Sequence, residues 1–275
     1  MGSVDAFHRD SPLKIYPKPL SRHEKNTVGS LQLGTELFFD IVLERRIMTI
    51  SPSSLEIIIV RHGQTDFNKR QILQGHADPP LNDTGKAQAT AAGQRLDRER
   101  RKIDALWSSD LIRCRQTSDL ILGQSDLHSH IQPVYWEDLR ERAMGEMEGL
   151  HVVVAHEKAK AENKTMHDYG EPKKHSVKRL NRAWEALVEE SLHKGYHRIM
   201  IVSHGGVTAQ FCRHLIRDMG YTFSPSVTDD DIKVPHNCSF TVVTVDRLSR
   251  EGVIQTFGDS LHLSGLYTTV DQRAL

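Results

Sequence analysis

The sequence predicts an α/β fold in which buried strands alternate with amphipathic helices. Short runs of β-branched residues, at residues 55–60 and 198–202, are typical of strands that are covered on both faces of a sheet. Each run is followed along the chain by a segment whose apolar residues recur at helical spacing. A chain of 275 residues, 38% of them hydrophobic, is long enough to bury such a sheet.

The predicted elements follow one another in a regular order. Asn82 is a good N-cap for a helix that ends near Leu96, and the side chains of residues 108–110 are expected to cap a second helix that ends near Leu122. The glycine-rich and charged residues 139–150 are expected to form a loop over a site, and residues 151–175 resist assignment. The remaining predictions are strands at residues 104–107, 131–134, 240–245 and 253–257, the last two as a hairpin, and helices over residues 177–188 and 207–215.

The N-terminal segment differs in composition from the rest of the chain. Residues 1–52 are polar and interrupted by prolines, which predicts a poorly ordered extension before a single domain over residues 53–275. The apolar residues 37–43 come late in this segment and include Asp40, which argues against a secretory signal.

Composition excludes several classes of protein. Lys+Arg and Asp+Glu both number 36, so net charge gives no reason to expect a nucleic acid or a membrane surface as partner. The three cysteines lie far apart, without metal-ligand spacing, and predict neither a metal site nor a disulfide framework. This cysteine usage favours a reducing compartment, so we expect a cytoplasmic protein, with the nucleus left open. The sequence gives no indication of the oligomeric state.

Two strands end in the same pattern, a histidine followed by glycine. His62 follows the strand at residues 55–60, and His204 follows the strand at residues 198–202. Ligands of open α/β sheets bind beyond the carboxyl ends of the strands, where Arg61 and Arg113 are also expected. Helix N-termini and arginine side chains suit a phosphate dianion, and a neutral imidazole can attack phosphorus.

These residues resemble the histidine phosphatase superfamily, also called phosphoglycerate mutase-like proteins. The resemblance rests on four motifs in the family's order: residues 61–63, residues 109–111 with Arg113, residues 139–149, and residues 203–206. It implies a three-layer α/β/α sandwich with a mostly parallel central sheet. It also implies metal-independent phosphoryl transfer in two steps, through a phosphohistidine and without a cofactor.

The resemblance assigns roles to individual residues. It implies that His62 is the nucleophile, that His204 is the second histidine at the phosphoryl group, and that Glu141 is the acid and base. The implied substrate-binding residues are Arg61, Arg113, Asn68, Gln74, Gly75 and the backbone N–H of Gly205.

Alternatives remain open at several of these positions. Glu146 and Glu148 are close to Glu141 in sequence and could serve in its place, and Arg113 could simply pair with Asp110. The polarity of a loop explains Gln74 as well as a substrate contact does. Six lysines could attract anionic substrates or form a solvated face: Lys158, Lys160, Lys164, Lys173, Lys174 and Lys178.

The motifs favour hydrolysis of a small phosphorylated metabolite. Residues 74–81 resemble the cofactor-independent, small-molecule phosphatase branch of this family, and residues 109–117 and 139–145 resemble its fungal broad-specificity phosphatases. Mutases usually carry Glu-Ser after Arg-His-Gly, whereas this chain has Gln64-Thr65. The nearest rival is a phosphoglycerate mutase. A third alternative is a catalytically weak interaction or scaffold module of the same fold, for which residues 1–47 are the best support. The natural substrate is left open.

Overall fold

A computed structural model describes residues 53–266 of the chain. The predicted N-terminal extension, residues 1–52, lies outside the described residues, as do residues 267–275. The boundary of the domain at residue 53 therefore stays a prediction.

The centre of the domain is a seven-stranded mixed sheet. Its strands are β1 (Ser54–Arg61), β2 (Ala105–Ser109), β3 (Val134–Trp136), β4 (Arg198–Ser203), β5 (Thr222–Phe223), β6 (Phe240–Asp246) and β7 (Gly252–Asp259). Their spatial order is β3-β2-β4-β1-β6-β7-β5. The strands β3, β2, β4 and β1 run parallel to one another, and β6 is antiparallel to both β1 and β7.

Helices cover both faces of this sheet, as the three-layer prediction requires. Alternate residues of β1 enter two separate cores, because successive side chains of a strand point to opposite faces. The α-helices are α1 (Asp66–Lys69), α2 (Asp83–Arg98), α3 (Ile112–Leu122), α4 (Val152–Ala161), α5 (Lys173–His193) and α6 (Gly205–Arg217). Leu55 and Ile57 pack with helices α5 and α6, and Ile58 and Val60 pack with helices α2 and α3.

Most of the predicted elements are confirmed, with two corrections. The third strand is Val134–Trp136 instead of residues 131–134, because its register is set by pairing with β2. Helix α3 has Leu111 at its N-cap without a side-chain cap. Its first amide, that of Ile112, donates to the distant Asp78 carboxylate at 2.7 Å, so the cap comes from the loop after β1.

Residues 144–169 build a small layer of their own beside the sheet. They contain α4 and the 3₁₀ helices Gly145–Met147 and Met166–Asp168. A separate apolar cluster holds this layer together, and its buried members are Leu73, Met147, Val152, Ala155, Ala159 and Tyr169. The segment predicted as a loop over a site is therefore partly helical, and we call residues 144–169 the cover. No helix between residues 53 and 266 combines the length and the apolar character that crossing a bilayer requires.

Candidate active site

The two His-Gly segments meet at one edge of the sheet, as predicted. Strands β1 and β4 are parallel neighbours, with Arg61 opposite Ser203. The amide of His62 donates to the Ser203 carbonyl at 2.9 Å, so the histidines that follow both strands lie side by side. Their ring centroids are 5.2 Å apart and the rings meet edge to face.

The ring of His62 is oriented by its own backbone. Its Nδ1 lies 2.7 Å from the carbonyl oxygen of Gly63. A carbonyl oxygen can only accept a hydrogen bond, so Nδ1 carries the proton and Nε2 keeps its lone pair. The side chain of Asn237 donates to the His62 carbonyl at 2.8 Å and Thr117 accepts from the Gly63 amide at 3.0 Å, which fixes the backbone on both sides. This is the protonation state that a nucleophilic imidazole needs.

His204 has the opposite arrangement of ring nitrogens. Arg113 Nε donates to His204 Nδ1 at 3.3 Å, and His204 Nε2 lies 2.9 Å from the Ser109 hydroxyl. Because an arginine only donates, Nδ1 is the acceptor and Nε2 carries the proton. His204 is also the N-cap residue of α6, so it lies at the positive end of that helix.

Both imidazoles are kept neutral by their surroundings. Burial lowers the pKa of His62 and of His204 well below 6.5, and the positive charge of Arg113 lowers both further. Less than 4% of the surface of either residue is exposed.

This shift predicts how the histidines titrate. On unfolding, both rings return to an ordinary pKa near 6.5, so below that pH the unfolded chain binds more protons than the folded one. We expect both rings to stay neutral, and the nucleophile to stay competent, as pH falls through 6.5, while the free energy of unfolding decreases. Imidazole carbon–proton NMR, assigned with His62→Ala and His204→Ala, checks this. A titration midpoint at or above 6.5 for either ring contradicts it.

Two buried arginines flank the histidines. Arg61 Nη1 donates to the Pro235 carbonyl at 2.7 Å. Arg113 donates to the carbonyls of Ala77 and Gly75, at 2.8 and 2.9 Å, and does not form the alternative pair with Asp110. Burial lowers the pKa of Arg61 to about 10, which leaves its guanidinium charged at neutral pH. The pair therefore supplies two fixed positive charges beside Nε2 of His62.

Asp110 has a different partner. Arg140 Nε donates to Asp110 Oδ1 at 2.7 Å, and a second donor of the same guanidinium contacts Oδ2. This hydrogen-bonded pair lowers the pKa of the Asp110 carboxyl. The arginine of the helix after Asp110 is thus left available for the site.

Of the three glutamates considered, Glu141 alone lines the cavity that contains the histidines. Its carboxylate accepts from the amides of Gly206 and Val207 at 2.9 and 3.1 Å, at the N-terminus of α6. Glu146 is on the surface and pairs with Lys158 at 2.5 Å. Glu148 accepts from the amides of His76 and Met144, at 2.9 and 2.8 Å, and so fastens the loop after β1 to the cover. The placement favours Glu141 as the acid and base.

Arg179 holds the backbone of the Glu141 segment in place. Its Nη1 donates to the carbonyls of Asp138 and Arg140 at 2.7 and 2.8 Å, and its Nη2 donates to the Glu141 carbonyl at 3.0 Å. Arg179 also forms an ion pair with Glu171, with 2.8 Å between Nε and Oε1. Sequence reasoning missed this role, because the acceptors lie about 40 positions away.

The other predicted binding residues also line the cavity. Asn68 accepts from the amide of Thr65 at 3.1 Å, and Gln74 accepts from the Thr65 hydroxyl at 3.1 Å. Gly75 has φ +52°, and an added Cβ would lie 2.3 Å from the Glu148 carboxylate. Two of the first three amides of α6 donate to Glu141, and that of Gly205 does not. The roles of these residues in substrate binding stay predictions.

Sequence reasoning missed three polar residues that support the histidines: Ser109, Thr117 and Asn237. Ser109 was expected only as a capping residue of the next helix, and Thr117 lies within that predicted helix, where a threonine is ordinary. Asn237 lies 175 positions from the carbonyl that it contacts. Only the tertiary structure brings these partners together.

Two glycines permit the loop after β1 to press against α2. A Cβ on Gly85 would lie 2.1 Å from the Gln64 carbonyl oxygen, and one on Gly63 would lie 2.5 Å from the Gly85 carbonyl oxygen. Both obstacles are backbone atoms, so neither contact can be relieved by a side-chain rotation.

We expect Gly85→Ala to lower the free energy of unfolding by about 2 kcal/mol or more, because the backbone must shift to avoid the overlap. The shift moves residues next to His62, so kcat is expected to fall as well. Urea denaturation and turnover measure both effects. Gly123→Ala is the matched control, because its Cβ would come no closer than 3.2 Å to another atom and is remote from the site. Equal behaviour of the two variants contradicts the role given to Gly85.

The site opens into a cavity of about 800 Å³. Of the six lysines considered above, Lys173 alone lines it, whereas Lys158 and Lys164 pair with surface glutamates. Between residues 53 and 266 no group of three or more histidine, cysteine or carboxylate side chains is placed to hold a metal ion. The cavity combines a neutral imidazole with a free Nε2, two charged arginines and a carboxylate. These groups can bind a phosphate ester, accept its phosphoryl group and exchange a proton with its oxygen.

The fold and the site together define a phosphoglycerate mutase-like α/β/α protein with a histidine-based anion site. The chain belongs to the histidine phosphatase superfamily (branch 1), whose sequence profile matches residues 57–258. The resemblance found in the four motifs is confirmed.

Two relatives agree with this membership, and a solved structure has a similar fold. The chain is 37% identical over 209 residues to a probable phosphatase of Schizosaccharomyces pombe, covering 76% of this chain and 95% of the relative. It is 33% identical over 221 residues to a broad-specificity phosphatase of Saccharomyces cerevisiae, covering 80% and 92%. The fold is similar to that of a phosphoglycerate mutase from Bacillus anthracis, with a TM-score of 0.64 at 21% identity, over 78% of this chain and 97% of that one.

Proposed function

We propose that the protein is a metal-independent phosphomonoesterase that hydrolyses small phosphorylated metabolites through a phosphohistidine on His62. One observation carries the proposal. The Nδ1–H of His62 is held by a carbonyl, so the lone pair of Nε2 is available in the same cavity as Arg61 and Arg113. A nucleophile beside two fixed positive charges is what transfer of a phosphoryl dianion requires.

The first step forms the phosphoenzyme. The lone pair of His62 Nε2 attacks phosphorus, and the bond between phosphorus and the ester oxygen breaks. Glu141, protonated at this stage, gives its proton to the leaving oxygen, so that an alcohol departs. Arg61 and Arg113 stabilise the charge on the three remaining oxygens, and the ring of His204 lies edge to face against that of His62 beside them.

The second step returns the enzyme to its starting state. The ionised Glu141 takes a proton from water, and the water oxygen attacks phosphorus. The bond between phosphorus and Nε2 breaks, inorganic phosphate leaves, and His62 regains its neutral ring. The carbonyl oxygen of Gly63 holds the Nδ1–H of His62 throughout, so the ring keeps one orientation in both steps.

Three observations support hydrolysis over its rivals. Both fungal relatives are named as phosphatases. Gln64-Thr65 stands where mutases of the family usually carry Glu-Ser. The complete set of His62, Arg61, Arg113 and Glu141 in one cavity argues against a module that has lost catalysis.

Phosphate release from a panel of phosphomonoesters, measured with and without a metal chelator, tests the proposal. We expect release from several esters, unchanged by the chelator. Loss of activity on chelation would mean that a metal takes part. Transfer to an added acceptor acid without phosphate release would assign a mutase. No turnover of any kind would favour the interaction module.

A further inference from the structure

The ring of His204 has a protein partner at each of its two nitrogens. Its Nδ1 accepts from Arg113 Nε at 3.3 Å, and its Nε2–H donates to the Ser109 hydroxyl at 2.9 Å. At most 1% of the surface of these three residues is exposed, so bulk water cannot stand in for either partner. His204 therefore connects a serine at the end of β2 to the buried arginine in the first turn of α3.

A thiol supplies a second acceptor for the same N–H. Cys114 Sγ lies 3.5 Å from His204 Nε2 and 3.6 Å from the carbonyl oxygen of Ser203. Since a carbonyl can only accept, the thiol proton is directed at Ser203, and a lone pair of the sulfur faces the ring. Burial raises the pKa of this thiol to about 12, so the proton stays on the sulfur at neutral pH. The hydroxyl and the sulfur are thus both acceptors for the one N–H of this ring.

The other end of this connection determines how Arg113 meets a phosphoryl group. A guanidinium has five N–H bonds in one plane. The Nε–H goes to His204, and Nη1 and Nη2 each give one N–H to a carbonyl, those of Ala77 and Gly75. The carboxylate of Asp78, 3.9 Å from Nη1, is beyond hydrogen-bond distance. Among residues 53–266, these bonds leave one N–H on each terminal nitrogen for phosphoryl oxygens.

The tautomer of His204 is essential to this arrangement. With the proton on Nδ1 instead, the N–H groups of ring and guanidinium would face each other across 3.3 Å, and a buried donor of Arg113 would lose its acceptor. A hydroxyl can donate as well as accept, so Ser109 alone is compatible with either tautomer. The sulfur of Cys114, whose proton is directed at Ser203, can only accept and so favours the proton on Nε2.

We propose that Ser109 and Cys114 are positioning residues that keep the proton of His204 on Nε2. Through that ring they hold Arg113 with its outer N–H bonds available to the phosphoryl group of the substrate. Neither Ser109 nor Cys114 lines the cavity, so neither is expected to touch the substrate. The inference rests on the proposed phosphatase function and extends it to the residues that prepare the phosphoryl site.

NMR of the imidazole nitrogens tests the tautomer in the wild type. Long-range ¹H–¹⁵N correlation spectra, assigned with His204→Ala, distinguish a ring protonated on Nε2 from one protonated on Nδ1. We expect His204 in the Nε2–H form. His62, whose Nδ1–H donates to a carbonyl, is expected in the opposite form and serves as the internal reference. A proton on Nδ1 of His204 overturns the inference.

Removal of both acceptors is the second test. In Ser109→Ala/Cys114→Ala the buried Nε2–H has no acceptor, so we expect the ring to change in part to the Nδ1–H form. The value of kcat/KM should fall by about 10- to 100-fold, the usual effect of one unsatisfied buried donor. The loss should be equal for p-nitrophenyl phosphate and for an alkyl phosphate, because both present the same phosphoryl group to Arg113. Binding of inorganic phosphate, measured by calorimetry, should weaken by a similar factor.

Two further variants separate this role from packing. Ser109→Ala/Cys114→Ser keeps one acceptor for the Nε2–H of His204 and should recover most of the loss. Ser118→Ala is the matched control, since Ser118 is a buried serine of α3 that donates to the carbonyl of Cys114 at 2.9 Å and does not line the cavity. It is expected to leave the tautomer and kcat/KM unchanged. Urea denaturation shows which variants are folded.

A folded Ser109→Ala/Cys114→Ala variant in which the proton stays wholly on Nε2 overturns the inference, whatever its activity. So does a loss confined to one leaving group, or a changed tautomer with unchanged kcat/KM. If that variant does not fold, Ser109→Ala decides: a smaller loss of phosphate affinity is expected, because Cys114 still accepts, and unchanged affinity overturns the inference.

Failure of the proposed function looks different, because wild type then hydrolyses no ester. The tautomer of His204 and the affinity for inorganic phosphate can still be measured in that event. Weaker binding of phosphate by Ser109→Ala/Cys114→Ala supports the inference, and unchanged or absent binding overturns it.

Discussion

Substitution of His62 by alanine is expected to abolish phosphate release, with a loss on the order of 10⁴-fold or more, because no other group in the cavity can replace the nucleophile. His204 is the nearest imidazole, but its Nε2 carries a proton and lies 2.9 Å from the Ser109 hydroxyl, while its Nδ1 accepts from Arg113. It therefore has no lone pair to offer. The measurement is phosphate release under saturating substrate, with far-UV circular dichroism to show that the variant is folded.

His175→Ala is the matched control for this loss. His175 is exposed on α5 and does not line the cavity, so its removal is expected to leave kcat unchanged. A folded His62→Ala variant that keeps more than about a tenth of wild-type turnover would show that another residue carries the phosphoryl group.

The second large loss of activity is expected for Glu141→Gln, and its size depends on the leaving group of the substrate. An alkoxide leaves poorly without a proton, so kcat for an alkyl phosphate should fall by about 10²- to 10⁴-fold, the usual contribution of a general acid. p-Nitrophenolate leaves without protonation, so the first step with p-nitrophenyl phosphate should be much less affected. Single-turnover release of p-nitrophenol isolates that step.

Glu146→Gln and Glu148→Gln complete this experiment. Glu146 is on the surface, and its substitution should leave both substrates unaffected. Glu148 fastens the loop that holds Arg113, so its substitution should affect both substrates alike instead of selectively. A selective loss on alkyl phosphates in either variant, and not in Glu141→Gln, would reassign the acid.

The sequence predicted the parts of this site that are local, and missed those that depend on distant partners. Strand β1, helix α2 with its Asn82 cap, and the hairpin of β6 and β7 follow from periodicity and capping that are visible within a few residues. Helix α3 was expected to be capped by its own neighbours, whereas Asp78 caps it from 34 positions away. A prediction from neighbouring residues cannot find this hydrogen bond, because the Ile112 amide and the Asp78 carboxylate come together only in the folded chain.

The same distinction holds for the proposed catalytic residues. His62 and His204 were paired correctly because parallel strands bring their carboxyl ends to one edge. The resemblance pointed to Glu141 before Glu146 and Glu148, and its place in the cavity, which the other two do not share, supports that choice. Besides Arg61 and Arg113, Lys173 was the one basic residue of the cavity lining that we had considered from the sequence as a contact for anionic substrates. Arg213 and Lys233, which also line the cavity, come from a helix and a loop that sequence spacing does not connect.

The central claim is that His62 carries the phosphoryl group between the two steps. Wild-type protein mixed with an excess of a ³²P-labelled phosphomonoester and quenched in alkali tests it most directly, because a phosphohistidine survives alkali and is lost in acid. We predict acid-labile label on the peptide that contains His62, with none on the His62→Ala variant. Label on another residue, or steady turnover with no labelled protein at any quench time, would contradict the account.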